Sequence, residues 1–537
     1  MTEGGTEPAA ARGSWSVPRE NYGVLTTHTA AAARLEAERT ARRLTSETVR
    51  IGGVPLAELR SRARTELHAL AQEAGTAPEG TASQFDPDAP LIATGHQPEL
   101  FHPGVWAKNI AANAIARPWG SAAWNLVVDN DLQGRSSVTI PTGTREEPTL
   151  AELPFDTPSP PRPWEESRIA SQELFATFGA RLEKALAPWG VTPWGTALWP
   201  KITGETETSL VPALVRLRQH AEREWGVTNL EHPLSRLSST EAFRIFSAAI
   251  LVDAGDFRDR HNRALGDYRR RHRIRSEAHP VAALQEREGA IESPFWVWRD
   301  GDSQRGRLFV NWSGRSAIEL FRGNESLKSR SVRGGDTHAA VIELLRELEQ
   351  EGWKVRTRAL TTTLFARLIL SDLFIHGIGG AKYDELTDDI LRTFFGIEPP
   401  PFMVLTATLR LPLGDLFPAR PEDASRGLWL MNDQRWNPER YLETPEGEGA
   451  LTRKLSLAQS IGREGSPERI QELRELRAAW RGQIEGPMTK VRQETLAVQR
   501  QLAANRRLAS RDFAWPLHPR QRLETLWERL RERLGTD

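Results

Sequence analysis

The sequence predicts an α/β protein in which two α/β stretches are separated by a mainly helical segment and followed by a helical C-terminal arm. Three observations carry this. Leu91 to Lys108 reads as a buried strand, a polar glycine-containing loop and a helix start. An apolar strand at Asn125–Val128 then ends in Asp129-Asn130-Asp131. Late in the chain another apolar segment delivers His376-Gly377-Ile378-Gly379-Gly380 to a new helix. Polar residues gathered just past strand ends are where α/β proteins build their sites.

The chain of 537 residues is longer than one core can fill, so roughly two to four domains are expected. Residues 1–20 are small, polar and Pro/Gly-containing and read as a disordered tail. Residues 21–88 form an N-terminal helical segment, with helices over Ala30–Leu44 and Leu56–Glu73. Residues 89–160 hold the first half of the core, with 141–165 as a long Pro/Thr/Glu-rich surface excursion. Residues 161–334 read as a mainly helical insertion. It carries a β-hairpin, Phe295–Trp298 with Arg307–Trp312 around Gly301, and a further strand at Ala317–Phe321.

The second half of the core spans 335–448, with a helix from Thr337, an extended run Lys354–Leu360, an apolar helix Thr363–Leu373 and a strand Met403–Leu411. In the 449–537 region Ile470, Leu473, Trp480 and Ile484 share a seam. After the break at Gly486-Pro487, Met488, Val491, Thr495, Val498 and Leu502 fall at heptad spacing, either in a kinked long helix or in a helical hairpin.

Composition removes several functions. There is no cysteine, which excludes disulfides, thiolate catalysis and zinc–thiolate sites. Seventy-one basic residues balance seventy-one acidic ones, so no global field favours nucleic acid or membrane. No apolar run approaches membrane-spanning length and no basic-then-apolar leader opens the chain, so a cytoplasmic protein is expected. The arginine-dense stretch Arg258–Arg275, interrupted by Asp259 and Asp267, reads first as a solvated helix end and only second as a polyanion surface. The 18 tryptophans are spread along the chain and read mainly as core.

The candidate site residues fall in three groups. In the first, backbone amides near Gly95 and Gly104 are placed to cradle an anion, with Thr94, His96, Gln97 and His102 as polar groups and Lys108 as counter-charge. Asp129 and Asp131, two apart on an extended segment, would point the same way and could hold a divalent ion, an amine or a hydroxyl. No metal is assigned; their expected role is to orient or deprotonate an amine. Gly377, Gly379 and Gly380 with Lys382 make a second anion loop. The string His102-Pro103-Gly104-Val105 resembles the His-x-Gly-His signature of nucleotidyltransferases and class I aminoacyl-tRNA synthetases, with Val105 in place of the second histidine.

The order of these motifs resembles the cysteine-adding enzyme of bacillithiol biosynthesis. Thr94-Gly95-His96-Gln97, Leu100-Phe101 and Lys108 resemble that family's Thr-Gly-Gln-Gln loop and downstream lysine. Asp129-Asn130-Asp131 lies where it has Asp-His-Asp, and Arg358–Gly380 resembles its apolar segment ending in Gly-Gly. The likeness covers about 120 residues in two blocks and is architectural elsewhere. His96, Asn130, Ala381-Lys382 and Thr361–Thr363 depart from it, standing for a glutamine, a histidine, Pro-Gly and Arg-Pro.

The resemblance implies a Rossmann-like, nucleotidyltransferase-like core with helical insertions and a C-terminal coiled-coil arm that dimerises. It also implies ligase-like condensation of an amino acid or similar amine with a small anionic acceptor, with ATP or ADP as the nucleotide. On this reading Asp129, Asp131, Lys108 and His96 carry catalysis, and the other loop residues bind substrate or nucleotide. The alternative is a catalytically inactive, dimeric ligand-binding or scaffold protein of the same fold.

Overall fold

The computed structural model describes residues 15–536 other than 74–85, 121–122, 204–207, 303, 444 and 462–464. Positions 1–14 of the expected tail lie outside the described residues. The chain divides into two compact units. The first comprises residues 1–139, 152–410 and 511–537, and the second 140–151 and 411–510.

The first unit is built on a six-stranded sheet. Five strands run parallel: β2 (Ile92–His96), β3 (Trp124–Val127), β4 (Leu230–Pro233), β10 (Leu373–His376) and β11 (Phe402–Ala407). They lie in the order β4-β3-β2-β10-β11, and β1 (Val24–Thr26) adds an antiparallel edge beside β11. By position in the chain the parallel strands therefore sit third, second, first, fourth, fifth. The progression reverses between β2 and β10. Every residue of β3 and β10 is buried, as expected of parallel strands covered on both faces.

Two strands of this sheet correct the sequence reading. β4 lies inside what reads as a helical insertion, because four residues are too few to set a period. β10 begins at Leu373, the last residue of the apolar helix expected over Thr363–Leu373. The helix instead spans Ala359–Leu370, closing in a π-turn, and Ser371-Asp372 breaks it before the strand. An unbroken apolar run hides that boundary.

Asp372 fixes the break. Its carboxylate accepts from Arg60 Nη2 at 2.5 Å, Arg64 Nη2 at 2.8 Å and the Leu91 amide at 2.7 Å, all buried. The two guanidiniums also cap carbonyls of the preceding helix end, those of Leu368 and Leu370. Both arginines project from helix α2 (Leu56–Glu73), which packs against this turn. Burial, then Arg64, holds the Arg60 guanidinium down at about 9 against the pull of Asp372.

A second, antiparallel sheet in the same unit contains β5 (Ala290–Arg299), β6 (Gly306–Ser313), β7 (Ala317–Arg322), β8 (Glu325–Ser331) and β9 (Trp353–Thr357), ordered β8-β7-β6-β5-β9. The hairpin around Gly301 and the strand after it are where the sequence expects them, and Gly301 takes a left-handed φ of 83°. Two boundaries move. β9 pairs with β5 and not with the parallel sheet, so the second half of the core does not begin at 335. The excursion expected over 141–165 contains a strand pair, Ser137–Gly143 with Pro148–Pro154.

The expected 449–537 arm is also divided. Helix α8 (Arg520–Leu534) belongs to the first unit and packs on α3 (Pro103–Ala116). Tryptophans far apart in sequence meet there: Trp106 lies with ring centroids 4.4 Å from Trp515, 5.2 Å from Trp225 and 5.5 Å from Trp527. In the second unit α6 (Pro421–Trp436) packs against α7 (Glu485–Leu508). The heptad seam of α7 meets α6 of the same chain, where a Cβ on Gly427 would lie 2.2 Å from Thr495 Oγ1. The helix break falls at Ile484, with Pro487 in the first turn of α7. No helix among the described residues is long and apolar enough to cross a membrane.

Candidate functional site

The carboxyl ends of β2, β3 and β10 lie side by side, with Thr94 in register with Ile375 and His96 with Val127. The two glycine loops read from the sequence therefore leave neighbouring strands. Their expected amide cradle, however, is occupied by the protein itself. His102 caps α3: its Nδ1 accepts the Gly104 N–H at 3.1 Å, and its carbonyl accepts the Val105 N–H at 2.9 Å. Gly104 is required by packing, since a Cβ there would stand 2.1 Å from the Ala407 carbonyl oxygen. Thr94 is fully buried and its hydroxyl donates to the Ile375 carbonyl at 3.0 Å, tying β2 to β10.

Lys108 Nζ donates to the Gly95 carbonyl at 2.9 Å, and burial lowers its ammonium to about 8. Burial, reinforced by Lys108, drives His96 to about 3. Burial, then Arg511 and Lys108, does the same to His102, so both imidazoles are neutral. The cavity between the 96–101 loop, Asn125 and Arg218 is only about 10 Å³, room for one water at most. So packed, these residues do not fit the phosphates of a nucleotide.

On the β10 side, Gly377 is the N-cap of α5 (Ile378–Thr393). The helix starts four residues before the expected Lys382, which places Gly379 and Gly380 in its first turn and not in a loop. Lys382 is exposed. His376 Nε2 stands 2.8 Å from Asp384 Oδ2, which Arg367 also reaches at 2.7 Å. Burial raises the Asp384 carboxyl, but Arg367 and His376 outweigh it and hold the group at about 2.

The two aspartates past β3 do not act as a pair. The strand ends at Val127, so the alternation that would aim both carboxylates one way is absent. Asp129 is buried and accepts from the Ser235 amide at 2.9 Å and from the Ser235 hydroxyl. Asp131 instead turns to Arg305 at 3.2 Å, to Gln97 Nε2 at 3.1 Å and to the Leu132 amide at 2.8 Å.

Burial, then the charge of Glu165, lifts the Asp129 carboxyl from 3.8 to about 7 despite the Ser235 bonds. A carboxyl raised on folding contributes stability that is full below its unfolded pKa and lost as pH rises through its folded one. Between pH 4 and 7 that loss reaches at most about 4 kcal/mol. Asp129→Asn keeps an acceptor and a donor for Ser235 without the charge. It should therefore be more stable than the parent at pH 7.5 and not at pH 4. Urea melts of both proteins at the two pH values measure the difference. An equal offset at both would show that Asp129 is already ionised without cost.

A cleft of about 280 Å³ opens between the β3 end and the antiparallel sheet. Gln97, Asn130 and Asp131 form one wall, and Trp296, Arg305, Arg307 and Arg358 another. Arg305 lies 4.8 Å from the centre of the Trp296 ring and Arg358 4.4 Å from it. Arg305 donates to the Asn130 carbonyl at 2.8 Å. Arg358 and Arg307 share the fully buried Glu292, at 2.6 and 3.3 Å. Three guanidiniums thus face one cavity against two carboxylates, Asp131 and Glu292, already bonded to them.

Planar forks held by a tryptophan contact and by buried partners suit the bidentate recognition of carboxylate or phosphate. Thr361 and Thr362 also line the cleft. Gln97 and Asp131 are therefore the sequence-read residues that reach a usable cavity. Arg305, Arg307, Arg358 and His261 were missed, because nothing local marks an arginine in a hairpin or before a helix. No protein-family model matches the chain, and no curated protein matches it in sequence, so the functional reading rests on the geometry of this cleft.

Proposed function

We propose that this chain is an enzyme with a Rossmann-like core, of the bacillithiol cysteine-adding type, that joins an amine to a small anionic acceptor seated in the arginine-lined cleft. The observation that carries the reading is the convergence of Arg305, Arg307 and Arg358 on a cavity beside the carboxyl ends of a parallel sheet. The strand order supports the Rossmann-like core, since the progression reverses between β2 and β10, while the cleft itself lies beside the β3 end and takes Gln97 from the loop after β2. In the net reaction the amine loses a proton, its nitrogen bonds a carboxyl carbon of the co-substrate, and water leaves. The arginines fix the acceptor's charge, and Trp296 lies against two of them, Arg305 and Arg358. No step is routed through a nucleotide; ATP and ADP enter the test as competitors.

A second reading, a ligand-binding protein of this fold without chemistry, is favoured by one fact. Both aspartates expected to deprotonate the amine are engaged, Asp129 by Ser235 and Asp131 by Arg305. Thermal shift with sugar phosphates, di- and tricarboxylates, ATP and ADP tests the site. Arg305→Gln should weaken the anion response by about tenfold or more, the shift being measured from the variant's own unliganded melting point. An anion response indifferent to Arg305 would place the ligand elsewhere. Mass spectrometry of amine and acceptor mixtures then separates the enzyme, which yields a condensed product, from the binding protein, which yields none.

A further inference from the structure

The cleft contains a hydrogen-bond acceptor that the arginines do not explain. His261, from helix α4 (Ala254–Arg271), lines it and is 5% exposed. Its Nδ1 lies 3.1 Å from Asn262 Oδ1. The Asn262 amide cannot be turned over: its Nδ2 donates to the Leu284 carbonyl at 2.8 Å while its Oδ1 accepts the Leu284 N–H at 2.9 Å. An oxygen facing Nδ1 requires the ring proton to be there, which leaves Nε2 as a bare lone pair. Burial keeps the imidazole neutral, at about 4, and the nearby Arg358 adds to this.

A cavity rich in guanidinium donors therefore also holds a fixed neutral acceptor. Of the neighbouring hydroxyls, Thr357 and Thr362 bond each other at 2.6 Å, while that of Thr361 also lines the cleft.

We propose that His261 is a specificity residue that accepts a hydrogen bond from a hydroxyl group on the anion held by Arg305, Arg307 and Arg358, so that the cleft selects hydroxylated small anions over their deoxy counterparts. An ammonium donor in the same place would sit among three guanidiniums and be repelled; a hydroxyl is neutral and is not. This inference rests on the reading of the cleft as an anion site. The acid group itself can be a carboxylate or a phosphate, and the test separates them.

Calorimetric titration with tartrate against succinate, and glycerol 1-phosphate against propyl phosphate, measures the selection. One pair should show a preference of about tenfold or more for the hydroxylated member, and His261→Phe should bring that preference within about twofold while retaining the binding of the deoxy member. The pair that responds identifies the acid group. In the unaltered protein, nitrogen-15 spectra of the histidine ring should show Nδ1 protonated and Nε2 bare, a readout that does not depend on the variant folding. Equal binding within both pairs, or a protonated Nε2, overturns the role of His261 and leaves the anion site standing. If no member of either pair binds, the anion site falls as well.

Discussion

Replacing Asp372 by alanine should cost about 3–5 kcal/mol. The side chain is fully buried and sits between Arg60 and Arg64, themselves only 5% and 4% exposed. Removing it leaves two guanidiniums in a low-dielectric site with carbonyls as their remaining partners, and it also orphans the Leu91 amide. Asp372→Asn, which keeps an acceptor without the charge, should fall between the two. Half-buried Asp267, paired with the exposed Arg270, is the contrast: its alanine variant should change stability by no more than about 0.5 kcal/mol. Denaturant melts followed by the fluorescence of the tryptophan cluster report this unit. A loss below about 1 kcal/mol for Asp372→Ala would mean that the arginines relax to water and that the clamp is not what orders β10.

Gly104→Ala should be nearly as damaging, by about 3 kcal/mol. The added methyl would meet the Ala407 carbonyl oxygen at 2.1 Å, and that oxygen belongs to a strand of the central sheet and cannot rotate away. Either α3 lifts from β11 or the cap at His102 opens, and both loosen the helix that carries Lys108 and Trp106. Gly134, which has open space around its Cα and no left-handed φ, is the matched control and should accept alanine without loss. A near-neutral Gly104→Ala would show that the N-terminus of α3 can shift. The room for an amide cradle would then exist after all.

These two residues mark how far sequence reasoning reaches. Gly104 was singled out as a place where backbone approaches closely, and it is such a place; what it approaches is strand β11 and not a ligand. Asp372 carried no signal, because its partners lie some 300 positions away on α2. The strand–loop–helix unit at 92–116 and the antiparallel hairpin were legible because each declares itself within a few residues, through period, glycine turns and capping chemistry. β4 and β10 were not, since a four-residue buried strand has the same local composition as a buried helix turn.

The site divides along the same line. By itself the sequence determined that the chain mixes helix and strand, that it has no thiol chemistry, and that polar residues gather after β2 and β3. Which of those residues share a cavity was decided by the tertiary structure. Pairing β9 with β5 brings Arg358 and Thr361 to the β3 end, and the turn after Val127 sends Asp129 to Ser235 and Asp131 to Arg305. The physical reason is range. Periodicity, capping and turn chemistry act over a few residues. Charge pairing and burial act across the assembled surface, where residues from opposite ends of the chain stand within hydrogen-bonding distance.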